Sequence, residues 1–253
     1  MLVDYHTHLL GHQDRAGTAQ EIREFLEQAV KNNIAEIGFT DHNRYYKEFN
    51  FDLIGEVAQE FPQLKVRKGL EMDFTPGEEE QINNFLDQFN LDYAIGSIHY
   101  LDDWMFDHPD YQDEYQNWDV IELYKEYFSY VKQAAKSGLF QILGHLDLIK
   151  VFGYKPEADI LKIVTPVLEI IAQEDVVIEI NTNGFNKPVS EMYPSREILE
   201  QAYDLEVKVT LGSDAHCAGR VGENFAMVKK LLADIGYTKI ATFKNKKRKM
   251  IQL

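Results

Sequence analysis

The chain of 253 residues has one cysteine, two tryptophans and no long apolar run. With Cys217 alone, no internal disulfide can form and no site built from several thiolates can bind a metal. No apolar stretch approaches the roughly 20 residues that a membrane span requires. The opening residues, MLVDYHTH, contain no basic segment followed by an apolar one. A secretory signal peptide is therefore not predicted, and we expect a cytoplasmic protein.

Positive charge is also scarce, since 26 Lys and Arg stand against 42 Asp and Glu and the formal net charge is −16. So acidic a chain repels the phosphates of duplex nucleic acid and of anionic membranes, and neither is expected as a partner. A bound metal cluster would still hold a small phosphate, because bound cations dominate the local potential. A small phosphate ester thus remains compatible with the composition.

Short apolar runs alternate with helical patterns along the chain. Repeated strand–helix units predict a parallel α/β fold. Seven units without a break in composition predict a single domain, residues 1–253, closed or nearly closed into a barrel. The predicted strands are Leu2–His6, Ala35–Thr40, Lys65–Glu71, Tyr93–Ile98, Gln141–His145, Val176–Asn181 and Val207–Gly212. The predicted helices lie near Thr18–Asn32, Asp52–Glu60, Glu79–Gln88, Val120–Ser137, Ala158–Glu174, Ser195–Tyr203 and Gly222–Asp234.

Histidines collect where these strands end. Seven of the eight fall at or just after strand ends, together with two carboxylates. Imidazole nitrogens and carboxylate oxygens are ligands for zinc, manganese and iron. Nine such groups are too many for one ion, so they predict two or three divalent ions with a bridging carboxylate, as in metal-dependent hydrolases. The nine residues are His6, His8, His12, His42, Glu71, His99, His145, Asp214 and His216.

The positions of these residues strengthen the interpretation. His6 and His8 share one side of their strand, as do Asp214 and His216, because side chains alternate in direction. The candidates lie at the C-terminal ends of the strands, where barrel enzymes place their chemistry. A single histidine usually has a structural or surface role, so the joint placement after six strands is what predicts a metal centre.

Some nearby residues have alternative interpretations. His12 lies in a loop after the HxH pair and is either a ligand or a surface residue. His108 is expected to be an ordinary loop residue. Asp41 could be a metal ligand, a helix cap, or a hydrogen-bond partner that orients an imidazole. We favour the orienting role for both Asp41 and Asp4.

The segments DYHTH, TDH, GLEMDF, GSIHY, GHLD and GSDAH, in this order, resemble the polymerase and histidinol phosphatase (PHP) superfamily over essentially the whole chain. Longer stretches, among them GSIHYLDDWMFD, SGLFQILGHLDLIK and EINTNGFNKPVSEMYPS, are similar to the histidinol-phosphate phosphatases of this type. The resemblance implies a distorted (β/α)7 barrel with a trinuclear metal site at the C-terminal ends of the strands.

The resemblance also implies how the ligands divide among three ions, with Glu71 bridging the first two. In relatives the loop after HxH is often longer, and its ligand falls slightly later. The implied ligands are His6, His8, Glu71 and Asp214 for the first ion, Glu71, His99 and His145 for the second, and His42, His216 and His12 for the third.

Similar phosphatases tend to carry arginine at two positions where this chain differs. These positions hold Lys150 and Asn186, and the second is followed by a retained Lys187. Lysine binds phosphate as a point charge and lacks the two-pronged geometry of arginine. The candidates to contact the phosphate or the organic part of a substrate are Lys150, Asn183, Lys187, Tyr193 and Arg220. A surface or loop-stabilising role fits each of them equally well.

The activity implied is metal-dependent hydrolysis of a phosphate monoester, with L-histidinol phosphate, an intermediate of histidine biosynthesis, as the first-choice substrate. Glu71 would act by bridging two ions, and Asp107 would protonate the leaving oxygen. Phosphotyrosine or another phosphate ester is the alternative on the same scaffold, and the net charge disfavours a nuclease. A non-catalytic metal-binding domain is the remaining class, although a degenerate copy would be expected to lose ligands. The native metal and the oligomeric state stay open.

Overall fold

Strands and helices alternate through the computed structural model, which describes residues 1–157 and 159–253. In chain order the strands are β1 (Leu2–Asp4), β2 (Ile34–Phe39), β3 (Lys65–Lys68), β4 (Glu71–Asp73), β5 (Ile95–Ser97), β6 (Tyr100–Leu101), β7 (Trp104–Met105), β8 (Ile142–Leu143), β9 (Val177–Asn181), β10 (Val209–Gly212), β11 (Lys239–Lys244) and β12 (Lys247–Gln252). The α-helices are α1 (Ala19–Lys31), α2 (Phe51–Ala58), α3 (Glu79–Leu86), α4 (Val120–Lys136), α5 (Leu161–Gln173), α6 (Arg196–Asp204) and α7 (Phe225–Ile235).

The parallel strands form a closed ring. Their hydrogen-bonded orders are β1-β2-β3 and β10-β9-β8-β5-β4. Parallel bridges join the two groups at both edges, between Thr7 and Ala215 and between His42 and Glu71. Because β3 and β4 together fill one place, the described residues make a (β/α) barrel with seven strand positions, as predicted.

Gly69 and Leu70 separate β3 from β4, and the lack of a side chain at Gly69 allows the ring to close there. A Cβ at Gly69 would lie 2.4 Å from Thr40 Cγ2 and 2.6 Å from Tyr93 Cζ. Both neighbours belong to the barrel interior, so a larger residue would force the strands apart. The predicted strand Lys65–Glu71 is therefore present as two short strands.

The helices form because polar caps precede amphipathic segments. Before α1, Thr18 and Glu21 make a reciprocal capping box, which satisfies two free main-chain donors of the first turn. The buried face of α1 includes Phe25 and Leu26, and each such side chain contributes roughly 1.5–3 kcal/mol when fully buried. Asp119 caps α4 by accepting from the main-chain amides of Ile121 and Glu122.

A C-terminal hairpin, β11–β12, covers the N-terminal end of the barrel. The Tyr5 hydroxyl accepts from the main-chain amide of Phe243 at 3.2 Å, and the Thr210 hydroxyl donates to the carbonyl of Ala241 at 2.9 Å. The opposite end of the ring is left to the loops that follow the strands.

All seven predicted strands are present, most of them shorter than predicted, and the predicted helices match α1 to α7. The predicted helix Ala158–Glu174 is observed as α5, and its first residue lies outside the described residues. The short hairpin β6–β7 was not predicted. Across residues 1–157 and 159–253, no helix combines the length and apolarity needed to cross a membrane.

Candidate metal centre

The predicted ligands meet at the C-terminal end of the ring. They lie in the segments that follow β1, β2, β5, β8 and β10, except Glu71, which opens β4. His8 is central among the imidazoles, with ring centroids 4.2 Å from His216 and 4.5 Å from His42. His12 lies at the margin, 4.3 Å from the ring of His216. The parallel topology therefore gathers side chains that are up to 210 positions apart in the sequence.

Glu71 is buried among the histidines. Its Oε1 lies 3.0 Å from His145 Nε2, 3.4 Å from His6 Nε2 and 3.5 Å from His99 Nε2. The Ser97 hydroxyl donates to the same oxygen at 2.7 Å. This oxygen faces one half of the centre.

The second carboxylate oxygen faces the other half. Glu71 Oε2 lies 2.8 Å from His42 Nδ1 and 3.5 Å from His8 Nε2. Asp214 Oδ1 lies 3.1 Å from His8 Nε2 and 3.5 Å from His216 Nδ1. Glu71 thus lies between two groups of imidazoles, which is the position a bridging carboxylate requires.

These residues fit divalent cations. Within the described residues, three groups place their ligand atoms within 4.8 Å of one another: His8 with His42 and His216, His6 with His8 and Glu71, and His42 with Glu71 and His99. The buried atoms of the centre that make no hydrogen bond to any described residue include His42 Nδ1, Glu71 Oε2, Asp214 Oδ1 and His216 Nε2. Unpaired lone pairs that converge in this way suit a metal, because a buried polar atom otherwise costs free energy.

The two carboxylates stay charged despite burial. Burial raises the pKa of Glu71 and Asp214, but nearby positive charge outweighs it, chiefly from His42 for Glu71 and from His6 for Asp214. Both pKa values therefore lie well below their ordinary range, and both groups are acceptors at neutral pH.

Among the histidines whose pKa is shifted, the direction of the shift differs. Burial, followed by the charge of His216, lowers the pKa of His8 well below its usual value and that of His12 to about 4. These imidazoles are neutral, which is the form that binds metals. His99 differs, because Glu71 and a hydrogen bond to Asp73 outweigh burial and raise its pKa to about 9.

Two acidic residues that the sequence analysis missed orient the histidines. Glu179 Oε1 lies 2.8 Å from His6 Nδ1, and Asp73 Oδ1 lies 2.6 Å from His99 Nδ1. A carboxylate on one ring nitrogen fixes the tautomer and turns the other nitrogen towards the centre. A signal existed for each: Glu179 is the one acidic residue of an apolar strand, and Asp73 follows Glu71 by two positions.

Asp4 and Asp41 have a different role from the one predicted. Asp41 accepts from the main-chain amides of Leu9 and Leu10 at 3.0 and 2.7 Å. Asp4 accepts from the amide of Ser213 at 2.9 Å and from its hydroxyl at 2.6 Å. Both carboxylates therefore hold the loops that carry ligands, and the expected contact with an imidazole ring was wrong. Buried main-chain donors require acceptors, and these carboxylates supply them.

A pocket of about 680 Å³ opens over the centre. Four of the six residues predicted to contact substrate or to protonate the leaving group line it: Asp107, Asn183, Lys187 and Tyr193. His108, predicted to be an ordinary loop residue, also lies in its wall.

Lys150 does not line this pocket. Its side chain is buried, and Nζ lies 2.8 Å from Asp147 Oδ2, 2.9 Å from Glu191 Oε2 and 2.8 Å from the carbonyl oxygen of Met192. These contacts use all three donors of the ammonium group. The predicted substrate contact is therefore replaced by a structural ion-pair network.

Arg220 lies behind the pocket wall. Its Nη2 donates to Asn183 Oδ1 at 2.9 Å, and its Nε donates to Glu223 at 3.0 Å. The amide nitrogen of Asn183 in turn donates to Asp214 Oδ2 at 2.9 Å. Arg220 thus fixes the amide that holds Asp214, whereas the sequence suggested direct contact with substrate.

Fold and site together define a metal-dependent hydrolase scaffold of the (β/α) barrel type. Residues 4–183 match the family model for the PHP domain. A probable histidinol-phosphatase from Deinococcus radiodurans is 38% identical over 256 residues, covering 96% of this chain and 95% of that protein. The histidinol-phosphatase of Bacillus subtilis is 28% identical, covering 81% and 91%. The chain belongs to the PHP domain family.

Solved structures agree on the fold. A histidinol phosphate phosphatase from Lactococcus lactis, solved with zinc, L-histidinol and phosphate, has a TM-score of 0.80 at 24% identity, covering 98% of each chain. A histidinol phosphatase described as putative, from Listeria monocytogenes, has a TM-score of 0.75 at 19% identity, covering 88% of this chain and 98% of that one.

Proposed function

We propose that this protein is a metal-dependent phosphomonoesterase that hydrolyses L-histidinol phosphate to L-histidinol and phosphate, a step of histidine biosynthesis. The observation that carries the proposal is the position of Glu71, between two groups of imidazoles at the floor of the 680 Å³ pocket. The names of the relatives supply the substrate, since the 38% identical protein is a probable histidinol-phosphatase.

The proposed cofactor is a set of two or three divalent ions, zinc, manganese or iron, held by the nine histidine and carboxylate ligands. Bound there, such ions would lower the pKa of water and neutralise phosphoryl charge. The proposal differs from the implied ligand groups in one detail: the ligand atoms of His8, His42 and His216 lie within 4.8 Å of one another, which supports His8 as a further ligand of the third ion. His12 would then be a peripheral ligand beside His216.

The chain's own residues would perform the remaining tasks. Asp107 lies in the pocket wall, where its buried Oδ1 accepts no hydrogen bond from the described residues. We assign it the protonation of the leaving alkoxide, which needs an acid within hydrogen-bond reach. Exposed Lys187 would contact the phosphate as a point charge. Tyr193, against the ring of His145, would bound the organic part of the substrate.

Steady-state kinetics would test the substrate. The protein, loaded in turn with zinc, manganese and iron, is assayed for phosphate release from L-histidinol phosphate, phosphotyrosine and p-nitrophenyl phosphate. We expect kcat/KM for L-histidinol phosphate to exceed the other two by about two orders of magnitude or more, typical of a site that pairs substrate polar groups. Equal or higher efficiency with phosphotyrosine would replace the proposed substrate.

The role of Asp107 can be tested separately. Asp107→Asn should lower kcat for L-histidinol phosphate by about 10²–10⁴, the usual contribution of general acid catalysis. The same variant should change kcat for p-nitrophenyl phosphate much less, because p-nitrophenolate leaves without a proton. Asp103→Asn, an exposed position in the turn between β6 and β7, serves as the matched control. An equal loss with both substrates would argue against the acid role.

A further inference from the structure

The pocket needs cations to hold a phosphate dianion in a chain of net charge −16. Two basic residues near the centre are engaged elsewhere, Lys150 with Asp147 and Arg220 with Glu223. Of the described residues that line the pocket, only Arg44 and Lys187 carry a permanent positive charge. Arg44 was not singled out in the sequence.

Arg44 is held loosely enough to bind a ligand. It lies in the short turn Asn43–Tyr45, directly after β2 and its ligand His42. Nη1 donates to Asp73 Oδ2 at 3.3 Å, and the guanidinium carbon lies 5.3 Å from the centroid of the Tyr45 ring. The side chain is 27% exposed. Because a guanidinium has five N–H donors, the contact with Asp73 leaves others for an anion in the pocket.

Arg44 and Lys187 approach the pocket from different sides of the ring. Arg44 follows β2, and Lys187 follows β9. In the closed ring, β1 and β10 separate these strands on one side, and the positions of β3/β4, β5 and β8 separate them on the other. An anion above the metal ligands would therefore lie between the two cations.

We propose that Arg44 binds the phosphoryl group of the substrate through two N–H donors, across the pocket from Lys187. This inference rests on the proposed function, since it names the residue that recognises its phosphate. The planar fork of arginine matches two phosphoryl oxygens, which lysine cannot do. Arg44 would thereby supply the geometry that Lys150 and Asn186 do not.

A second role of Arg44 is compatible with the same contacts, and the experiment has to distinguish it from phosphate binding. Asp73 Oδ1 lies 2.6 Å from His99 Nδ1, so Arg44 could act by holding Asp73 and, through it, a candidate metal ligand. Loss of such a role would reduce metal content. Loss of a phosphate contact would weaken phosphate binding at unchanged metal content.

The experiment uses the zinc-loaded protein with inorganic phosphate as the probe. Isothermal titration calorimetry and elemental analysis are carried out on wild type, Arg44→Met, Arg44→Lys and the control Arg196→Met, which removes an exposed arginine paired with Glu200. We expect Arg44→Met to weaken phosphate binding at least tenfold with unchanged zinc content. Arg44→Lys should be intermediate, and Arg196→Met should equal wild type. KM for L-histidinol phosphate should rise in parallel.

Three results would overturn the proposal: no phosphate binding by the wild type, unchanged binding by Arg44→Met, or a fall in zinc content that accounts for the weaker binding. If Arg44→Met does not fold, Arg44→Lys decides by the same criteria. Phosphate binding that depends on Arg44, in a protein that does not turn over L-histidinol phosphate, would refute the proposed substrate and support the role of Arg44.

Discussion

Glu71 is a buried, charged side chain whose two carboxylate oxygens face different histidines. Its Oε1 faces His145 at 3.0 Å, and its Oε2 faces His42 at 2.8 Å. Glu71→Gln keeps the shape of the side chain but replaces one carboxylate oxygen with an NH2 group, which cannot bind a cation. We expect activity to fall by several orders of magnitude and at least one equivalent of metal to be lost, with the fold retained. Kinetics, elemental analysis and circular dichroism measure these effects.

Glu80→Gln is the matched control, because Glu80 is exposed at the start of α3. It should retain the metal and the activity of the wild type. Near-wild-type turnover by Glu71→Gln would exclude a bridging role for this carboxylate.

For individual residues, the sequence predicted the candidate metal ligands but not the side chains that contact them. The histidines and Glu71 were identifiable because each follows or opens a strand. Glu179 stands out in the sequence as an acidic residue within an apolar strand, but its partner could not be predicted, because the contact with His6 spans 173 positions and depends on the ring closing. For Lys150 the sequence left substrate contact and a loop-stabilising role equally open for a related reason: Glu191, which lies 2.9 Å away, belongs to a different loop. Long-range partners of charged side chains cannot be read from local pattern.

At the scale of strands and helices, periodicity predicted the alternation well, because each unit buries a local apolar stripe. It predicted strand ends poorly, and it missed the break in β3–β4. That break depends on Tyr93, which crosses the interior from another strand position and would lie 2.6 Å from a Cβ at Gly69.

Gly69→Ala should therefore destabilise the barrel by about 1–3 kcal/mol, the usual cost of overpacking. Gly55→Ala in α2 is the matched control, because a Cβ there has no described atom within 4 Å. That control should be neutral or stabilise by up to about 1 kcal/mol, from helix propensity. Urea denaturation of both variants measures the difference, and equal stability would show that the ring closes without help from this glycine.

Glu36 in β2 is expected to make the packing of the first three strands sensitive to acid. This buried carboxylate lies 3.0 Å from Lys65 Nζ and 2.7 Å from Arg67 Nη2, both in β3, and accepts from the Tyr5 hydroxyl at 2.8 Å. Burial opposes its charge, but Arg67 and Lys65 outweigh burial and lower its pKa below the ordinary 4.5. A lowered pKa means that the stabilisation is complete above pH 4.5 and is lost as pH falls through the folded-state pKa.

Glu36→Gln should thus be less stable than wild type at pH 7, by about 3–5 kcal/mol if it behaves as a broken buried ion pair. The difference should shrink as pH falls below 4.5. Urea denaturation at several pH values, in the presence of a chelator, isolates this effect from the metal centre. Glu174→Gln, an exposed position after α5, is the control. A difference that is constant with pH would contradict the assignment.

At the scale of the whole molecule, the two ends of the barrel have opposite chemistry. The N-terminal end is closed by a hairpin and by apolar and tyrosine packing, whereas the C-terminal end concentrates imidazoles and carboxylates whose lone pairs converge. Folding therefore has to bring together polar groups that are costly to bury without a partner. Bound ions would offset that cost, so metal binding and stability should be linked.

Removal of metal should consequently lower both activity and stability. A ligand that binds only the folded state at 100 times its Kd stabilises by about 2.7 kcal/mol. We expect dialysis against a chelator to abolish phosphate release and to lower Tm by several degrees, and we expect added zinc, manganese or iron to restore both. The Glu71→Gln variant provides the internal control, since its Tm should respond less to added metal than that of wild type. Full activity after removal of all bound metal would refute the metal-dependent mechanism. If added metal restored activity without changing Tm, the centre would act in catalysis without contributing to folding.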